Sequence, residues 1–437
     1  MDTLRWLYGL QHFGIKLGLD GIRALLQALG HPERAYPSVI VAGTNGKGSV
    51  AAMLHAMLAA GGVETGLYTS PHLVRPNERI RLGTHDIDDD ALDALLDRLR
   101  VRIETALATG EIAVHPSFFE VTTAAALEAF RQRGMRAAIL EVGLGGRLDA
   151  TNAVDAELAV VVSVDLDHLK ILGPTLERIA AEKAGVIRPG RSVVSGVSRQ
   201  AAIDVLERTC RERGATLVDA RATVELVGET TDGFTLRTPR QLYPRLRNAL
   251  PGRHQIDNAR VALAAFERFA ALAGIEPEPA TVRRGLAEVR WPGRLQWVRA
   301  KASRPDLLLD GAHNPAAMHV LACYLRSLDR PAPIAVLGAM QDKQLDRMFE
   351  PLAPLVAGAV ATCPAVDRAA GPEEIASHAR RQGIPRVEVV PQPAQALEAA
   401  CRRAAPGGFV LVAGSLYLVG GILGLLEARP APGPVAL

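Results

Sequence analysis

Seven consecutive residues, Gly43-Thr44-Asn45-Gly46-Lys47-Gly48-Ser49, constrain the fold more than anything else in this chain. A short apolar, β-branched run at residues 39–42 leads into them, and a helical pattern over Lys47–Ala60 leads out. Strand, glycine-rich turn and helix in that order are the context of a phosphate-binding loop. Glycines let the backbone curl until its N–H groups converge on phosphate oxygens, and the helix N-terminus adds positive potential. Lys47 is placed to reach β- and γ-phosphates, and Ser49 to assist with phosphate or Mg²⁺. The spacing departs from GxxxxGK[ST]. Val41 and Ala42 are not glycines, and Gly48 separates Lys47 from Ser49.

The same alternation continues along the chain. Residues 137–142 and 158–164 read as strands, and residues 179–187, 201–213 and 258–272 as helices. Strands alternating with helices imply βαβ units and a parallel sheet. Asp88-Asp89-Asp90 opens a helical stretch to about residue 106, where acidic residues suit the helix dipole. Residues 223–251 break the pattern with short alternating runs around a Thr230-Thr231-Asp232-Gly233 turn, which fits a small β-hairpin excursion. Trp291-Pro292-Gly293-Arg294 is a strong breaker, after which strands at 307–309, 334–337, 359–362, 387–390 and 409–413 alternate with helices. The expected class is therefore α/β. It comprises a phosphate-loop nucleotide-binding domain over residues 1–294 and a Rossmann-like α/β domain over residues 295–437, with a frayed tail at 428–437.

Composition excludes several alternatives. The 50 Lys+Arg against 47 Asp+Glu leave a net charge of +3, too small for a dedicated nucleic-acid binder, and 4% aromatics argue against a base-stacking platform. Cys210, Cys323, Cys363 and Cys401 form no CxxC pair, so solitary buried thiols in a reducing cytosol are expected rather than disulfides or zinc. Residues 407–426 carry no charge and approach the ~20 residues of a membrane span. Six glycines and the Gly414-Ser415 break make a buried strand, a turn and a short helix the better reading. Neither a signal peptide nor a membrane segment is expected, and the location expected is cytoplasmic.

Further blocks carry chemistry. They are Thr69-Ser70-Pro71-His72 with Glu78-Arg79-Ile80, Phe118-Phe119-Glu120, and Glu141 closing a buried strand. Gly145-Gly146-Arg147-Leu148-Asp149-Ala150-Thr151-Asn152, Asp165-Leu166-Asp167-His168 and Glu182-Lys183-Ala184-Gly185 come next. His254-Gln255-Ile256-Asp257-Asn258-Ala259, Trp291-Pro292-Gly293-Arg294 and Asp310-Gly311-Ala312-His313-Asn314-Pro315 complete the set. A carboxylate ending a strand beside a phosphate loop is where an Mg²⁺ ligand is expected. Taken alone, most of the others have bland readings. Lys183 would be a helix-surface lysine, Asp149 a turn cap, Asn258 a helix cap, Arg294 a solvated linker residue, and Asp310 with His313 a strand-end turn.

In this order the blocks closely resemble the folylpolyglutamate synthase and dihydrofolate synthase family, part of the Mur ligase superfamily of ATP-dependent amide-forming enzymes. The resemblance covers about residues 14–421. It implies that Gly43, Thr44, Asn45, Gly46, Lys47, Gly48 and Ser49 bind ATP, with Asn258 at the nucleotide and Arg294, Asp310 and His313 reaching it across a cleft. It implies two Mg²⁺ sites, drawn from Ser70, Glu141, His168 and a Lys183 that CO₂ carbamylates. It implies a pterin site near Phe118, Arg147 and Asp149, since a carboxylate can pair with a pterin's ring N–H and amine. The catalytic groups so implied are Lys47, Lys183 and His313. The reaction implied is phosphoryl transfer from ATP to a carboxylate, then attack by the amine of L-glutamate. The acceptors are dihydropteroate and the glutamate tail of tetrahydrofolates, and the enzyme is a monomer. A monofunctional folylpolyglutamate synthase, another Mur-type ligase and a non-catalytic nucleotide-binding scaffold are the competing readings. Asp20-Gly21, Ile40, Asp165 and Lys170 depart from the family pattern.

Overall fold

The computed structural model describes residues 2–14, 18–300 and 304–427. Its first sheet has eight strands: β1 (Ser38–Ala42), β2 (Thr65–Tyr68), β3 (Ile80–Leu82), β4 (His85–Asp86), β5 (Ala137–Glu141), β6 (Leu158–Val161), β7 (Ser192–Ser195) and β8 (Thr216–Asp219). Their order is β4-β3-β2-β5-β1-β6-β7-β8. The β2-β5-β1-β6-β7-β8 core is parallel, and β3 and β4 add an antiparallel edge. The chain leaves β1 toward β2 on one side and its neighbour β6 toward β7 on the other, so a crevice opens at the carboxyl ends of β1 and β6.

The alternation of β1 explains why both faces are covered. Val39 and Val41 pack with helix Lys47–Ala60 and helix His254–Ala273, while Ile40 and Ala42 face a separate apolar cluster with Ile179 and Val205. Ile40 is fully buried there, a core position rather than a contact to the loop. Helix Lys47–Ala60 is apolar nearly all round, with ten of its residues buried, as expected of a helix held between a sheet and other helices.

The excursion after β8 is larger than the expected hairpin. β9 (Glu225–Thr230), β10 (Gly233–Arg237) and β11 (Leu242–Leu246) form a three-stranded antiparallel sheet. Pro244 inside β11 masks that strand in the sequence, but β11 lies at the sheet edge, where proline is tolerated. The Thr230–Gly233 turn joins the first two strands as expected. Near the N-terminus a helix runs from Asp20 to Ala28, and residues 15–17 lie outside the described residues. The expected frayed tail also lies outside them.

The second sheet has six strands: β12 (Gln296–Val298), β13 (Asp306–Leu309), β14 (Ile334–Leu337), β15 (Gly358–Ala361), β16 (Val387–Val389) and β17 (Phe409–Ala413). The order is β12-β13-β17-β14-β15-β16, parallel except for β12. The uncharged stretch at 407–426 is the central strand β17, a turn and helix Leu416–Leu426. No helix of the described residues is long and apolar enough to cross a membrane. All four cysteines are free, but Cys323 is exposed on its helix and Cys363 and Cys401 are half-buried, so only Cys210 is the buried thiol expected of all four.

One segment of the first half enters the core of the second. Val74 is buried among Leu307, Leu418, Val419 and Ile422, with Leu73 packed beside it. Glu78 holds this loop by accepting the N–H groups of Leu73, Val74 and Arg75 at 2.6, 2.9 and 2.7 Å. The helix Leu416–Leu426 approaches so closely that a Cβ on Gly420 would sit 2.0 Å from the Leu73 carbonyl oxygen. Gly420→Ala should therefore cost about 1–3 kcal/mol through overpacking, read as a lowered melting temperature. An unchanged melting point would refute this tight contact.

Candidate functional site

The carboxyl ends of both sheets face one cleft. From the first sheet, β1 delivers the loop 43–49, β5 ends on Glu141 and β6 leads to residues 163–168. From the second, β13 leads to Asp310, β14 to Asp342 and Lys343, β15 to Arg368, and β17 to Ser415. The nucleotide-sized cavity between them, about 420 Å³, is lined by the whole loop together with Ser70, Glu141, His168, Lys183, Asn258, Arg294, Asp310 and His313. A second cavity of about 630 Å³, mostly apolar, adjoins it and is lined by Phe118, Phe119, Leu144, Leu148 and Asp149. The two share Gly143, Leu144, Asp167, His168, Asp342, Lys343 and Arg368 as a common wall.

The loop is pinned from behind. The Thr44 N–H donates to the Ser163 carbonyl at 2.9 Å, and the Asn45 N–H donates to Ser163 Oγ at 2.9 Å. The Thr44 hydroxyl exchanges hydrogen bonds with the Asp165 backbone. Lys47 Nζ folds back onto the carbonyls of Gly43 and Thr44 at 3.1 and 3.3 Å. Burial lowers the Lys47 pKa, and the Glu141 carboxylate opposes that shift. Gly48 carries no side chain for a local reason: a Cβ there would meet the Trp291 indole at 2.6 Å. Asn258 packs on the loop, with Oδ1 2.7 Å from the place a Cβ on Gly46 would take, while its Nδ2 donates to Gln255.

Ser70 and Glu141 form an oxygen-rich corner. Glu141 Oε2 accepts the Ser70 N–H at 3.3 Å, and Ser70 Oγ is buried with no hydrogen-bond partner. Burial raises the Glu141 pKa, and Lys47 pulls it back. An orphaned hydroxyl beside a carboxylate suits a hard divalent cation. No group of three or more His, Cys, Asp or Glu among the described residues could hold a metal by itself. That pattern fits Mg²⁺, which takes one or two protein carboxylates and fills the rest of its shell with phosphates and water. His72 is not part of this corner. Its Nδ1 accepts Arg79 Nε at 2.8 Å.

Lys183 is buried, and its pKa is lowered to about 7 by burial first and then by the Lys47 charge. A helix-surface lysine would be exposed, so that reading is overturned. His168 sits in left-handed backbone at φ 50° and, like His313, has a pKa lowered to about 4 by burial and by the Lys343 charge. Both imidazoles are neutral at pH 7. His313 Nδ1 lies 2.8 Å from the Gly311 carbonyl, which can only accept, so Nδ1 carries the proton. Asp310 accepts the N–H groups of Leu295 and Ala312 at 2.8 and 2.9 Å, and Arg294 packs against Gly311.

Two residues of the expected pterin site are placed unequally. Arg147 lines neither cavity. Its guanidinium pairs with Glu182 at 2.8 Å and is half-exposed, and its stem packs closely on Gly185. Phe118 lines the larger cavity, but Tyr8 stacks on its ring at 5.9 Å and Arg79 lies over it at 5.2 Å. Phe119 is the less buried aromatic of the pair. Asp149 caps the turn Ala150–Ala153, accepting Thr151 N and Oγ1 and Leu144 N, and it lines the larger cavity.

Sequence reasoning missed Asp167 and Lys343. Lys343 Nζ lies 2.6 Å from Asp167 Oδ1, both nearly buried, in an ion pair between the two sheets. Burial alone would raise the Asp167 pKa, yet His313, Lys343 and His168 together hold it below the usual carboxylate range. Asp167 stood inside a motif that had been read, but Lys343 lies in Met340-Gln341-Asp342-Lys343, which matched none.

The family model described as Mur ligase, glutamate ligase domain, matches residues 293–416. A dihydrofolate synthase/folylpolyglutamate synthase of Escherichia coli is 33% identical over 440 residues, covering 98% of this chain and 96% of its own. This chain belongs to that family. A probable bifunctional folylpolyglutamate synthase/dihydropteroate synthase of Haloferax volcanii is 37% identical over 96% of the chain, which spans about half (49%) of that relative's length. Among solved structures, FolC of Escherichia coli in complex with DHPP and ADP superposes with a TM-score of 0.86 at 30% identity, covering 98% of each chain. The bifunctional enzyme of Yersinia pestis, complexed with AMPPNP and a Mn ion, has a TM-score of 0.85 at 29% identity, covering 97% of this chain and 98% of its own. The α/β class with two parallel sheets is that of the family.

Proposed function

We propose that the chain is an ATP-dependent glutamate ligase. It joins L-glutamate to dihydropteroate and to the glutamate tail of tetrahydrofolates, releasing ADP and phosphate. The observation that carries this reading is the common wall. A nucleotide-sized cleft with a phosphate loop meets a mostly apolar cavity across Asp167, His168 and Lys343. An acceptor in the larger cavity can thus present its carboxylate to a phosphoryl group in the smaller one. The proposed division is residues 1–294 and 295–437, and the chain acts as a cytoplasmic monomer on small molecules.

The residues divide the work. Loop N–H groups, Lys47 and Arg294 bind and neutralise the phosphates, and Asp310 and His313 close the cleft from the other side. Ser70, Glu141 and His168 would hold Mg²⁺, whose charge assists phosphoryl transfer. The neutral Lys183 amine is set to take up CO₂, giving an oxygen anion for a second Mg²⁺ and losing one proton. The acceptor carboxylate takes the γ-phosphoryl group and ADP leaves. The neutral amine of glutamate then attacks the acyl carbon, phosphate departs and one proton is released. Closure of the cleft keeps water from the acyl phosphate. Asp149 and Phe119 hold the pterin.

The test is ADP release with ATP, Mg²⁺ and L-glutamate, with dihydropteroate and tetrahydrofolate supplied separately. Turnover with both is expected. Turnover with tetrahydrofolate alone would leave a monofunctional polyglutamate synthase, and turnover with neither would sink the assignment. Asp149→Ala should raise KM for dihydropteroate at least tenfold, while losing only about 1 kcal/mol of stability from the cap. An unaltered KM would remove Asp149 from the pterin site.

A further inference from the structure

Asn45 is one of the loop residues, yet its side chain points away from the role its neighbours share. Its backbone is fixed by Ser163 on both sides, since Ser163 Oγ accepts the Asn45 N–H and donates to the Asn45 carbonyl, each at 2.9 Å. The side-chain amide then reaches across the cleft to Asn314, 269 positions away. The two amides pair reciprocally: Asn45 Nδ2 donates to Asn314 Oδ1 at 3.2 Å, and Asn314 Nδ2 donates to Asn45 Oδ1 at 2.9 Å.

Asn314 uses every remaining valence. Its Oδ1 also accepts the Ala317 N–H at 2.9 Å, which caps helix Pro315–Arg326, and its Nδ2 also donates to Asp167 Oδ2 at 3.0 Å. Backbone N–H on one side and carboxylate on the other leave only one orientation of the amide. The residue is 1% exposed, so loss of its amide would leave buried groups such as Asp167 Oδ2 short of a partner. A helix cap needs only the oxygen. The nitrogen's two bonds, to the phosphate loop and to the buried Asp167–Lys343 pair, serve something else.

We propose that Asn314 is a positioning residue that sets the second sheet in register on the phosphate loop. Its amide fixes Asn45 and Asp167 together, so that His313, one residue before it, and Lys343, paired with Asp167, meet the nucleotide phosphates at a defined place. This role rests on the ligase reading for its kinetic consequence, but not for its binding consequence.

The test contrasts two substitutions. Aspartate caps helices as well as asparagine does, so Asn314→Asp keeps the bond from Ala317. It removes both Nδ2 bonds and sets a carboxylate against Asp167. Asn314→Ala removes everything. A capping role alone predicts that the aspartate variant is near wild type and the alanine variant impaired. The positioning role predicts the reverse order. Asn314→Ala loses about tenfold in kcat/KM for ATP and in ADP affinity, and Asn314→Asp about a hundredfold, from unpaired buried groups and like-charge repulsion. Asn45→Ala should lose about as much as Asn314→Ala, and the Asn45→Ala/Asn314→Ala double variant little more than either. Losses that multiply in the double variant, or an aspartate variant as good as the alanine one, would overturn the proposal. ADP affinity, titrated with Mg²⁺ present, is read in every variant. A wild-type protein without turnover would thus refute the ligase reading and leave this one still decided by binding.

Discussion

Lys47→Ala should lower turnover by about three orders of magnitude, the largest effect of any single substitution in this chain. Lys47 is half-buried, feels the Glu141 charge and has its Nζ held by two loop carbonyls, so the protein itself fixes its position. A preorganised cation in a water-poor cleft stabilises charge that develops on transferring phosphoryl oxygens without reorganising at the moment of reaction. Because the loss falls on the transition state, kcat should fall while acceptor KM stays within a few-fold. The check is steady-state ADP release from folded protein. A loss below tenfold would take Lys47 out of the chemistry.

The second large effect concerns Lys183. With its pKa lowered to about 7, the amine is mostly ammonium at pH 6 and about nine-tenths neutral at pH 8. An ordinary lysine near 10.4 would be neutral in less than about one molecule in a hundred at pH 8. Only the neutral amine can add CO₂. A carbamate resonance on protein equilibrated with ¹³C-bicarbonate should therefore grow as pH rises from 6 to 8 and be missing from Lys183→Ala. The same variant should lose at least a hundredfold in turnover, and wild-type activity should fall when dissolved CO₂ is stripped. A Lys183→Ala enzyme with normal turnover would refute the modified-lysine reading.

How much of this was legible beforehand depended on distance along the chain. The helix Lys47–Ala60 and the strands Ile334–Leu337 and Phe409–Ala413 begin and end where apolar pattern and glycine placed them, because local sterics decide such elements. The cleft residues 43–49, 141 and 310 fall at strand ends, which the same pattern reveals. Burial of Lys183 was not legible, since a lysine in an ordinary helix gives no sign of what packs over it. Nor was the outward pairing of Arg147 with Glu182, 35 positions further on. Lys343 was missed for the same reason: its partner Asp167 is 176 residues away, and nothing near Lys343 hints at a buried charge. Phe118 and Phe119 are adjacent and alike, and only the third dimension shows that Tyr8 and Arg79 occupy the first.

Val74 and Leu73 sit only a few residues after Ser70, in a loop that Glu78 stiffens. The segment works like a peg fixed to one board and seated in another. The halves cannot swing apart about the cleft without either unseating Val74 or dragging Ser70 away from Glu141. Any opening wide enough to admit or release a nucleotide therefore disturbs the same corner that would hold its metal. Chain cut near residue 294 would yield two fragments, one with a bare apolar peg and one with an empty apolar socket, and both would be prone to aggregate.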